Sequence, residues 1–346
     1  MNGLTEKAPV LAVDNLVAEA DSPDGATRLV DGVSFSVRAG RTLGLVGESG
    51  SGKSVTCLSL LGLPPRGVRV TGGRILLHGA DLREKTSAEL NALRGREIGM
   101  ILQDPMSSLN PLLTIGRQIT EMFRYRDGVK SRSEREACAI ELLRRVRIPA
   151  PESRLKSYPH QFSGGMRQRV AIAMNLACNP GLLIADEPTT ALDITVRLQI
   201  LDLLREVQAE RGTAIVLVTH DLHLVRRYCD DVAVMYAGRI VENGPVEAVF
   251  REPRHPYTKG LLGAVPRLRD TQRRLTVIAG QPPSPGSIER GCRYAPRCPR
   301  AQADCLTSYP TARELHPGRG VACWHPEPVP VPAPVHGESR PVAVAS

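Results

Sequence analysis

The feature that most constrains the fold of this chain is a glycine-rich octapeptide, GESGSGKS, at residues 47–54. An apolar run, Thr42–Val46, precedes it and a helical pattern follows it, so that strand, tight loop and helix come in direct succession. Glycines let backbone N–H groups surround phosphate oxygens, and the start of the helix adds positive potential. Lys53 is expected to contact the β- and γ-phosphates and Ser54 to bind Mg²⁺. We therefore predict a P-loop for a nucleoside triphosphate, formed by Gly47, Glu48, Ser49, Gly50, Ser51, Gly52, Lys53 and Ser54.

Apolar runs of strand length recur along the chain without the alternation of a half-exposed strand. Such runs are typical of strands that are buried on both faces of a mostly parallel sheet. They lie at Thr42–Val46, residues 99–103, Leu182–Asp186 and residues 214–219. Antiparallel strands are indicated near residues 74–77 and in a hairpin that joins residues 232–236 to 239–241. The predicted fold class is α/β, with a mostly parallel sheet, a smaller antiparallel part and helices that cover the sheet.

A helical stretch separates the second of these runs from the third. Ser133-Glu134-Arg135-Glu136 fits an S-x-x-E capping box, and an amphipathic segment follows it at residues 137–146. We interpret the region of about residues 112–180 as an inserted helical subdomain. Beyond Pro253, proline and glycine become frequent, and alternating prolines predict an extended or disordered tail over residues 326–346.

Two carboxylates, Asp186 and Glu187, end the third apolar run, at the sheet edge where α/β proteins bind their ligands. Asp186 is predicted to hold Mg²⁺, and Glu187 to orient or deprotonate the water that attacks the γ-phosphate. His220 ends the next run and is a neutral donor able to contact that phosphate or orient the water. A histidine at a strand end is more often structural, but its position after Lys53 and Glu187 favours a catalytic role.

A second anion site is indicated at Phe162-Ser163-Gly164-Gly165-Met166. A hydroxyl and two glycines precede a helix that is predicted over residues 167–178, and a helix start of this kind binds anions. The P-loop already surrounds the phosphates of one nucleotide. A second anion site in the same chain is therefore redundant unless two chains pair.

The ordered set of these motifs resembles the ATP-binding cassette of ABC transporters over about residues 8–262. The set comprises the P-loop, Gln103, Ser163-Gly164-Gly165, Asp186-Glu187, Ala191-Leu192-Asp193 and His220. The resemblance implies a RecA-like parallel sheet with antiparallel β and helical subdomains. It also implies that two cassettes enclose two ATP molecules head to tail, with each P-loop facing Ser163-Gly164-Gly165 of the other.

The resemblance further assigns roles to residues between the main motifs. It implies that Gln103 senses the nucleotide, contributes to the Mg²⁺ site and to catalysis, and touches the membrane subunits. It implies that Asp193 lies in the turn that links the two ATP sites. The family usually has the sequence LSGGQ at this motif, whereas this chain has Phe162 at its first position and Met166 at its last. The aromatic residue that usually stacks on adenine is also missing, since no aromatic residue precedes Phe35, and Arg28 is either its replacement or a solvated arginine.

Further stretches resemble the D-type ATP-binding subunit of the bacterial oligopeptide and dipeptide importers. They lie at residues 103–111, 158–169 and 255–262, and the cysteine-bearing region at about 263–325 belongs with them. The resemblance implies an ATPase that energises peptide import from the cytoplasmic face of the membrane. It implies a second, different cassette, two transmembrane permease subunits and an extracytoplasmic peptide-binding protein as partners. Nickel chelates and glutathione are alternative cargoes.

Four cysteines lie in this C-terminal region, at Cys292, Cys298, Cys305 and Cys323. The region is rich in Pro, Arg and Gly and can bury little apolar surface, so a metal cross-link would compensate for a missing core. Four thiolates suit an iron–sulfur cluster or zinc, and their spacing does not choose between them. The resemblance implies a [4Fe–4S] cluster, with zinc second and uncoordinated thiols third; His316 or His325 could replace a ligand. Buried structural thiols are expected at Cys57, Cys138, Cys178 and Cys229.

Charge leaves a second function class open. A net charge of +9 and a pI near 9.4 suit nucleotide, anionic lipid or nucleic acid. The chain begins without an apolar core and cleavage site, so export is not expected. The alternative is an ABC ATPase that acts on DNA or ribosomes. One compact cassette, without a long coiled-coil or zinc insertion, opposes that alternative, and no nucleic acid partner is expected.

Overall fold

The computed structural model describes residues 8–22, 25–102, 108–125, 131–189, 192–264, 278–288 and 290–328. The strands are β1 (Leu11–Ser22), β2 (Gly25–Val37), β3 (Thr42–Val46), β4 (Val68–Leu77), β5 (Ala80–Asp81), β6 (Ile98–Ile101), β7 (Leu182–Asp186), β8 (Ala214–Val218), β9 (Asp231–Tyr236), β10 (Arg239–Pro245), β11 (Arg313–His316) and β12 (Arg319–Val321). The helices are α1 (Lys53–Leu60), α2 (Ser87–Leu93), α3 (Ile115–Met122), α4 (Arg132–Arg145), α5 (Pro151–Arg154), α6 (Gly164–Leu176), α7 (Ile194–Arg211), α8 (Leu222–Tyr228), α9 (Val246–Arg251), α10 (Pro256–Gly263) and α11 (Ala303–Thr307).

The centre of the molecule is an eight-stranded sheet in the order β11-β12-β10-β9-β3-β8-β7-β6. Neighbouring strands from β9 to β6 are parallel, whereas β10, β12 and β11 extend the sheet in antiparallel fashion. Every residue of β3, β7 and β8 is buried, since apolar clusters cover both faces of the sheet. The predicted α/β fold with a mostly parallel sheet is confirmed, and the uninterrupted apolar runs are its central strands.

A second, antiparallel sheet has the strand order β2-β1-β4-β5. Alternate residues of β2, including Val33, Phe35 and Val37, are buried. They share one apolar cluster with Leu45 of β3 and Leu60 of α1, so this sheet covers one face of the central sheet. The antiparallel strand indicated near residues 74–77 lies within β4.

Helices α3 to α6 lie between β6 and β7 and form the helical insertion. Their apolar residues, such as Ile115, Ile119 and Leu143, pack in a cluster that also contains Phe162. The sequence-based capping box at the start of α4 was wrong by two residues. Ser131, not Ser133, is the N-cap: its hydroxyl accepts from the Glu134 backbone N–H at 3.1 Å, and its own N–H donates to the Glu134 carboxylate at 2.9 Å.

The described part of the C-terminal region packs directly on the cassette. Strands β11 and β12 continue the central sheet, and Tyr294 joins Tyr236 and Tyr257 in a cluster with ring centroids 4.6–5.4 Å apart. Glu327, which the sequence assigns to the proline-rich tail, is buried and accepts a hydrogen bond from the Lys259 ammonium at 2.8 Å. Residues from 329 onward lie outside the described residues. None of the described helices has the length and apolar character needed to cross a membrane.

Candidate functional site

The predicted P-loop joins β3 to α1 and depends on glycine at two close approaches. Gly47 has φ 155°, and a Cβ there would lie 2.1 Å from the Met235 carbonyl oxygen. Gly52 has φ 101°, and a Cβ there would lie 2.8 Å from the Leu29 carbonyl oxygen. The loop is therefore held between the edge of β2 and the end of β9, where no other residue type fits without strain.

Lys53 lies under this loop and is buried. Its ammonium donates hydrogen bonds to the carbonyl oxygens of Gly47 and Glu48, both at 2.8 Å, and to the Ser51 hydroxyl at 3.2 Å. Burial lowers the pKa of Lys53, while the carboxylates of Glu187 and Asp186 oppose that shift. The cation is thus placed inside the loop that would surround the phosphates, close to the acidic residues of the site.

Two predicted Mg²⁺ ligands, Ser54 and Asp186, are neighbours. Asp186 is the last residue of β7 and is buried. Burial is the main cause that raises the pKa of its carboxylate, and the neighbouring Ser54 side chain opposes that shift. A carboxylate beside a hydroxyl offers the oxygen ligands that Mg²⁺ prefers, and the residues present therefore fit this ion.

Glu187 and His220 also come together, from the ends of neighbouring strands. His220 Nδ1 lies 3.3 Å from Glu187 Oε1. The Glu187 backbone has φ 46°, a left-handed conformation that is rare for a residue with a side chain. Its N–H donates to the Val218 carbonyl oxygen at 3.1 Å. This kink turns the Glu187 side chain out of the sheet, into the cavity that His220 also lines.

One cavity of about 540 Å³ connects these groups. P-loop residues, Glu187 and His220 line one part of it. Arg28 and residues 283–288 of the C-terminal region line another part. The structure therefore brings together residues that are scattered over most of the sequence. Gln103 and Ala191 lie outside the described residues.

The side chain of the P-loop residue Glu48 pairs with the C-terminal region. The Arg297 guanidinium donates to its two oxygens at 2.7 and 3.1 Å, and the Arg297 side chain is only 6% exposed. The Glu48 backbone N–H donates to the Tyr257 hydroxyl at 2.9 Å. Glu48 fills a variable position of the P-loop pattern, so the sequence carried no signal for this ion pair.

Ser163, Gly164 and Gly165 do not line the cavity of their own P-loop. Ser163 is the N-cap of α6, and Ser163 and Gly164 are exposed to solvent. A Cβ on Gly165 would lie 2.9 Å from Val196 Cγ1, so a larger residue would collide with α7. Phe162 is buried in the helical insertion, which explains an aromatic residue at the first position of this motif. Asp193 is the N-cap of α7, and its carboxylate accepts from the Val196 N–H at 3.0 Å.

The four C-terminal cysteines line one small, enclosed cavity. Burial raises the pKa of Cys292, of Cys298 and, to about 12, of Cys323. Among the described residues, no three of these thiols lie within 4.8 Å of one another. A closer group is formed by Asp304, Cys305 and His325, which sequence reasoning did not assemble.

His255 lines the same cavity and is fully buried. Its Nδ1 accepts from the Tyr257 backbone N–H at 3.0 Å, so the proton of the neutral ring lies on Nε2. Nε2 is buried and has no hydrogen-bond partner within the described residues. A buried donor without an acceptor is costly, and a sulfur-ligated metal group in the cavity would supply one. The cavity therefore fits such a group.

The remaining cysteines meet the expectation of buried thiols only in part. Cys57 is fully buried in the core, and burial raises its pKa. Cys138, Cys178 and Cys229 are partly exposed. The Cys178 thiol donates to the Met122 carbonyl oxygen at 3.3 Å.

Comparison with known proteins agrees with this geometry. The family model described as ABC transporter matches residues 30–190, and the one described as Oligopeptide/dipeptide transporter, C-terminal region, matches residues 241–305. A putative peptide import ATP-binding protein of Brucella abortus (strain 2308) is 49% identical over 91% of this chain and 95% of its own length. The dipeptide transport ATP-binding protein DppD of Bacillus subtilis (strain 168) is 48% identical over 91% and 94%.

A solved structure supports the same assignment. The dimeric, post-hydrolysis structure of an ATP-binding cassette bound to ADP and phosphate has a TM-score of 0.62 and 28% sequence identity. It covers 68% of this chain and 98% of its own. The chain therefore belongs to the ATP-binding proteins of ABC transporters, among those that carry the oligopeptide/dipeptide transporter C-terminal region.

Proposed function

We propose that this protein is the ATP-hydrolysing subunit that drives peptide import in an ABC transporter. The observation that carries the proposal is the cavity lined by Lys53, Ser54, Glu187 and His220, with Asp186 next to Ser54. Relatives named as peptide import and dipeptide transport ATP-binding proteins, which match more than nine-tenths of the chain, support the direction and the cargo class.

Each of these groups has a role in hydrolysis that follows from its position. Lys53 neutralises charge on the β- and γ-phosphates. Ser54 and Asp186 hold Mg²⁺, which supplies further neutralisation of the phosphate oxygens. Glu187 orients the attacking water and accepts its proton as the bond between the γ-phosphorus and the ADP oxygen breaks. His220 holds the Glu187 carboxylate and is close enough to the cavity to donate to the γ-phosphate.

Pairing of two cassettes completes each site in this proposal. Ser163 and Gly164 are exposed at a helix start and are absent from the cavity of their own P-loop, which supports their use by a partner chain. The similar cassette of known structure is itself dimeric. We infer a second, different cassette, two transmembrane permease subunits and an extracytoplasmic peptide-binding protein as partners, with this chain on the cytoplasmic face of the membrane. ATP binding closes the pair, and hydrolysis reopens it.

Purification from the native host tests the assembly. The tagged protein is solubilised from membranes without oxygen, and its companions are identified by mass spectrometry. We expect two proteins with several membrane spans and a second cassette. Reconstituted vesicles should then accumulate a peptide only when ATP is supplied on the cassette side, with a nickel chelate and glutathione as competing cargoes. Ribosomal proteins or DNA as the main companions, with binding that weakens steeply in salt, would instead identify a nucleic-acid-acting ATPase.

We further propose that the cavity of Cys292, Cys298, Cys305 and Cys323 holds a [4Fe–4S] cluster. Zinc bound by four thiolates at about 2.3 Å would bring the sulfurs to about 3.8 Å from one another, whereas no three of the described thiols lie within 4.8 Å of one another. A cluster binds each thiolate through a different iron and tolerates wider spacing. The His255 Nε2 donor, which has no partner among the described residues, supports a sulfur-rich occupant. Zinc held by Asp304, Cys305 and His325 is the competing assignment.

Metal analysis of protein purified without oxygen separates the two assignments. Four irons and four acid-labile sulfides per chain, with a visible absorption band that bleaches on reduction, are expected for the cluster. Stoichiometric zinc without sulfide would contradict the cluster and favour the Asp304, Cys305 and His325 group.

A further inference from the structure

The nucleotide cavity has a wall that comes from outside the cassette. Five residues between positions 283 and 288 line it together with P-loop residues and with Arg28 and Leu29 of β2; they are Pro283, Ser284, Pro285, Gly286 and Ile288. Lys53 and Ser54 fix where the β- and γ-phosphates lie, so the ribose and base of a nucleotide extend toward this other wall. A base in this part of the cavity would meet residues that follow the cassette in sequence by more than twenty positions.

The wall is built around a preformed turn. The Ser284 carbonyl oxygen accepts from the Ser287 N–H at 3.1 Å and from the Ser287 hydroxyl at 2.7 Å. Pro285 occupies the second position of this turn, and Gly286 occupies the third with φ 80°, which are the residues that a type II turn requires. A Cβ on Gly286 would lie 3.1 Å from Thr27 Cγ2. The turn thus packs against β2 one residue away from Arg28.

Arginine contacts on both sides of the turn hold it against the cassette. Before the turn, the Ala279 carbonyl oxygen accepts from Arg297 Nε at 2.9 Å, and the same guanidinium binds the P-loop residue Glu48. After the turn, Arg293 donates to the Asp31 carboxylate at 2.5 Å. The described protein contacts therefore order the wall before any nucleotide binds. Binding then does not have to supply the free energy of ordering this segment.

Arg28 lines the same cavity as this wall, and its guanidinium is paired with two carboxylates. Its Nε donates to Glu19 Oε1 at 3.0 Å, and its Nη1 donates to Asp31 Oδ1 at 3.3 Å. A planar guanidinium stacks well on an aromatic ring. The described residues that line the cavity include no Phe, Tyr or Trp, and no aromatic residue precedes Phe35 in the sequence. Phe35 itself is buried in the core.

We propose that Arg28 and the turn at residues 283–288 form the two faces of the purine-binding end of the nucleotide site. Arg28 stacks on one face of the base, and the half-buried Pro283 and Ile288 cover the other. The C-terminal region is then a part of the ATP site, which deepens the proposed function and rests on it. A nucleotide bound here is shielded from water at its base as well as at its phosphates.

A comparison of ATP, which carries the base, with tripolyphosphate, which lacks it, tests this assignment. The affinity of the 346-residue chain for Mg²⁺–ATP and for Mg²⁺–tripolyphosphate is measured by calorimetry. Arg28→Ala and the double variant Pro283→Ala/Ile288→Ala should each weaken ATP binding roughly tenfold and leave tripolyphosphate binding unchanged. Pro282→Ala is the matched control, because Pro282 adjoins the wall but does not line the cavity. It should bind both ligands as the unaltered chain does.

Other outcomes overturn the assignment. Unchanged ATP affinity in both variants would show that the base lies elsewhere. An equal loss for ATP and tripolyphosphate would mean that the turn supports the P-loop and does not contact the base. An unaltered chain that bound neither ligand would refute the nucleotide site itself, which is a separate failure from the first two.

Discussion

Glu187 is the residue at which backbone strain and chemistry coincide. Its left-handed φ of 46° carries an energetic cost of about 1–3 kcal/mol for a non-glycine residue. The conformation is maintained by the hydrogen bond to Val218 and turns the carboxylate toward His220. An aspartate or glutamate at a strand end can be recognised in a sequence. The kink that aims this one at the cavity cannot, because it depends on the neighbouring strand.

Glu187→Gln should bind ATP with nearly unchanged affinity and lose most of its hydrolysis. The amide keeps the shape of the side chain but cannot accept a proton, and loss of a general base typically lowers kcat roughly 100- to 10,000-fold. Phosphate release and ATP binding are measured on the same preparations, with the exposed Glu206→Gln as control. Turnover equal to that of the control would remove Glu187 from its proposed role.

Cys298→Ser should lower the metal content of anaerobically purified protein and destabilise the C-terminal region. A serine hydroxyl is a poor ligand for iron or zinc compared with a thiolate, and a site that loses one ligand holds its metal less tightly. Metal content and thermal unfolding are compared with those of Cys138→Ser, a partly exposed cysteine in the helical insertion. Full metal occupancy in Cys298→Ser would exclude Cys298 as a ligand.

At the level of single elements, the local sequence predicts whether a segment is a strand or a helix better than it predicts the residues at which that segment begins and ends. The buried runs of β3 and β7 match their predicted bounds, because a strand covered on both faces is apolar throughout. The start of α4 is less certain in sequence, since Ser131 and Ser133 each precede a glutamate three residues later. The structure uses Ser131, and Glu136 instead accepts from Arg132 one turn earlier, at 3.0 Å.

Ser131→Ala should destabilise the helical insertion by about 1 kcal/mol, whereas Ser133→Ala should be nearly neutral. The Ser131 hydroxyl accepts the Glu134 backbone N–H at the helix start, and its removal takes this capping acceptor away. Urea denaturation followed by far-ultraviolet circular dichroism measures the difference. A larger effect of Ser133→Ala would move the start of α4 to the position that the sequence motif favours.

At the scale of the whole molecule, the C-terminal region and the cassette share one structure. Strands β11 and β12 extend the central sheet, and the tyrosine cluster joins α10 and Tyr294 to β9. Arg297, next to the metal-site candidate Cys298, binds the P-loop residue Glu48. A change in the cysteine cavity therefore has a direct structural route to the nucleotide site.

Arg297→Ala should weaken ATP binding and destabilise the protein together. It leaves the partly buried Glu48 carboxylate without its partner, which costs about 2 kcal/mol, and it releases the Ala279 carbonyl before the nucleotide wall. ATP affinity and the free energy of unfolding are compared with those of Arg251→Ala, an arginine with a 76% exposed side chain. Adding Glu48→Gln should recover part of the lost stability, because it removes the unpaired charge. Additive effects of the two substitutions would contradict a direct interaction.

Much of the candidate site can be predicted from short stretches of sequence. The P-loop, the paired carboxylates of β7 and the buried strands follow from local patterns, because phosphate binding and two-sided burial each impose a residue pattern within one loop or strand. The sequence suggests Arg28 as a residue that stacks on the base, but it does not predict that residues 283–288 line the same cavity. The pairing of Glu48 with Arg297 spans 249 positions, and the wall at residues 283–288 meets β2 from a similar distance. No local pattern encodes such contacts, since they exist only once the sheet order has brought distant segments to the same edge.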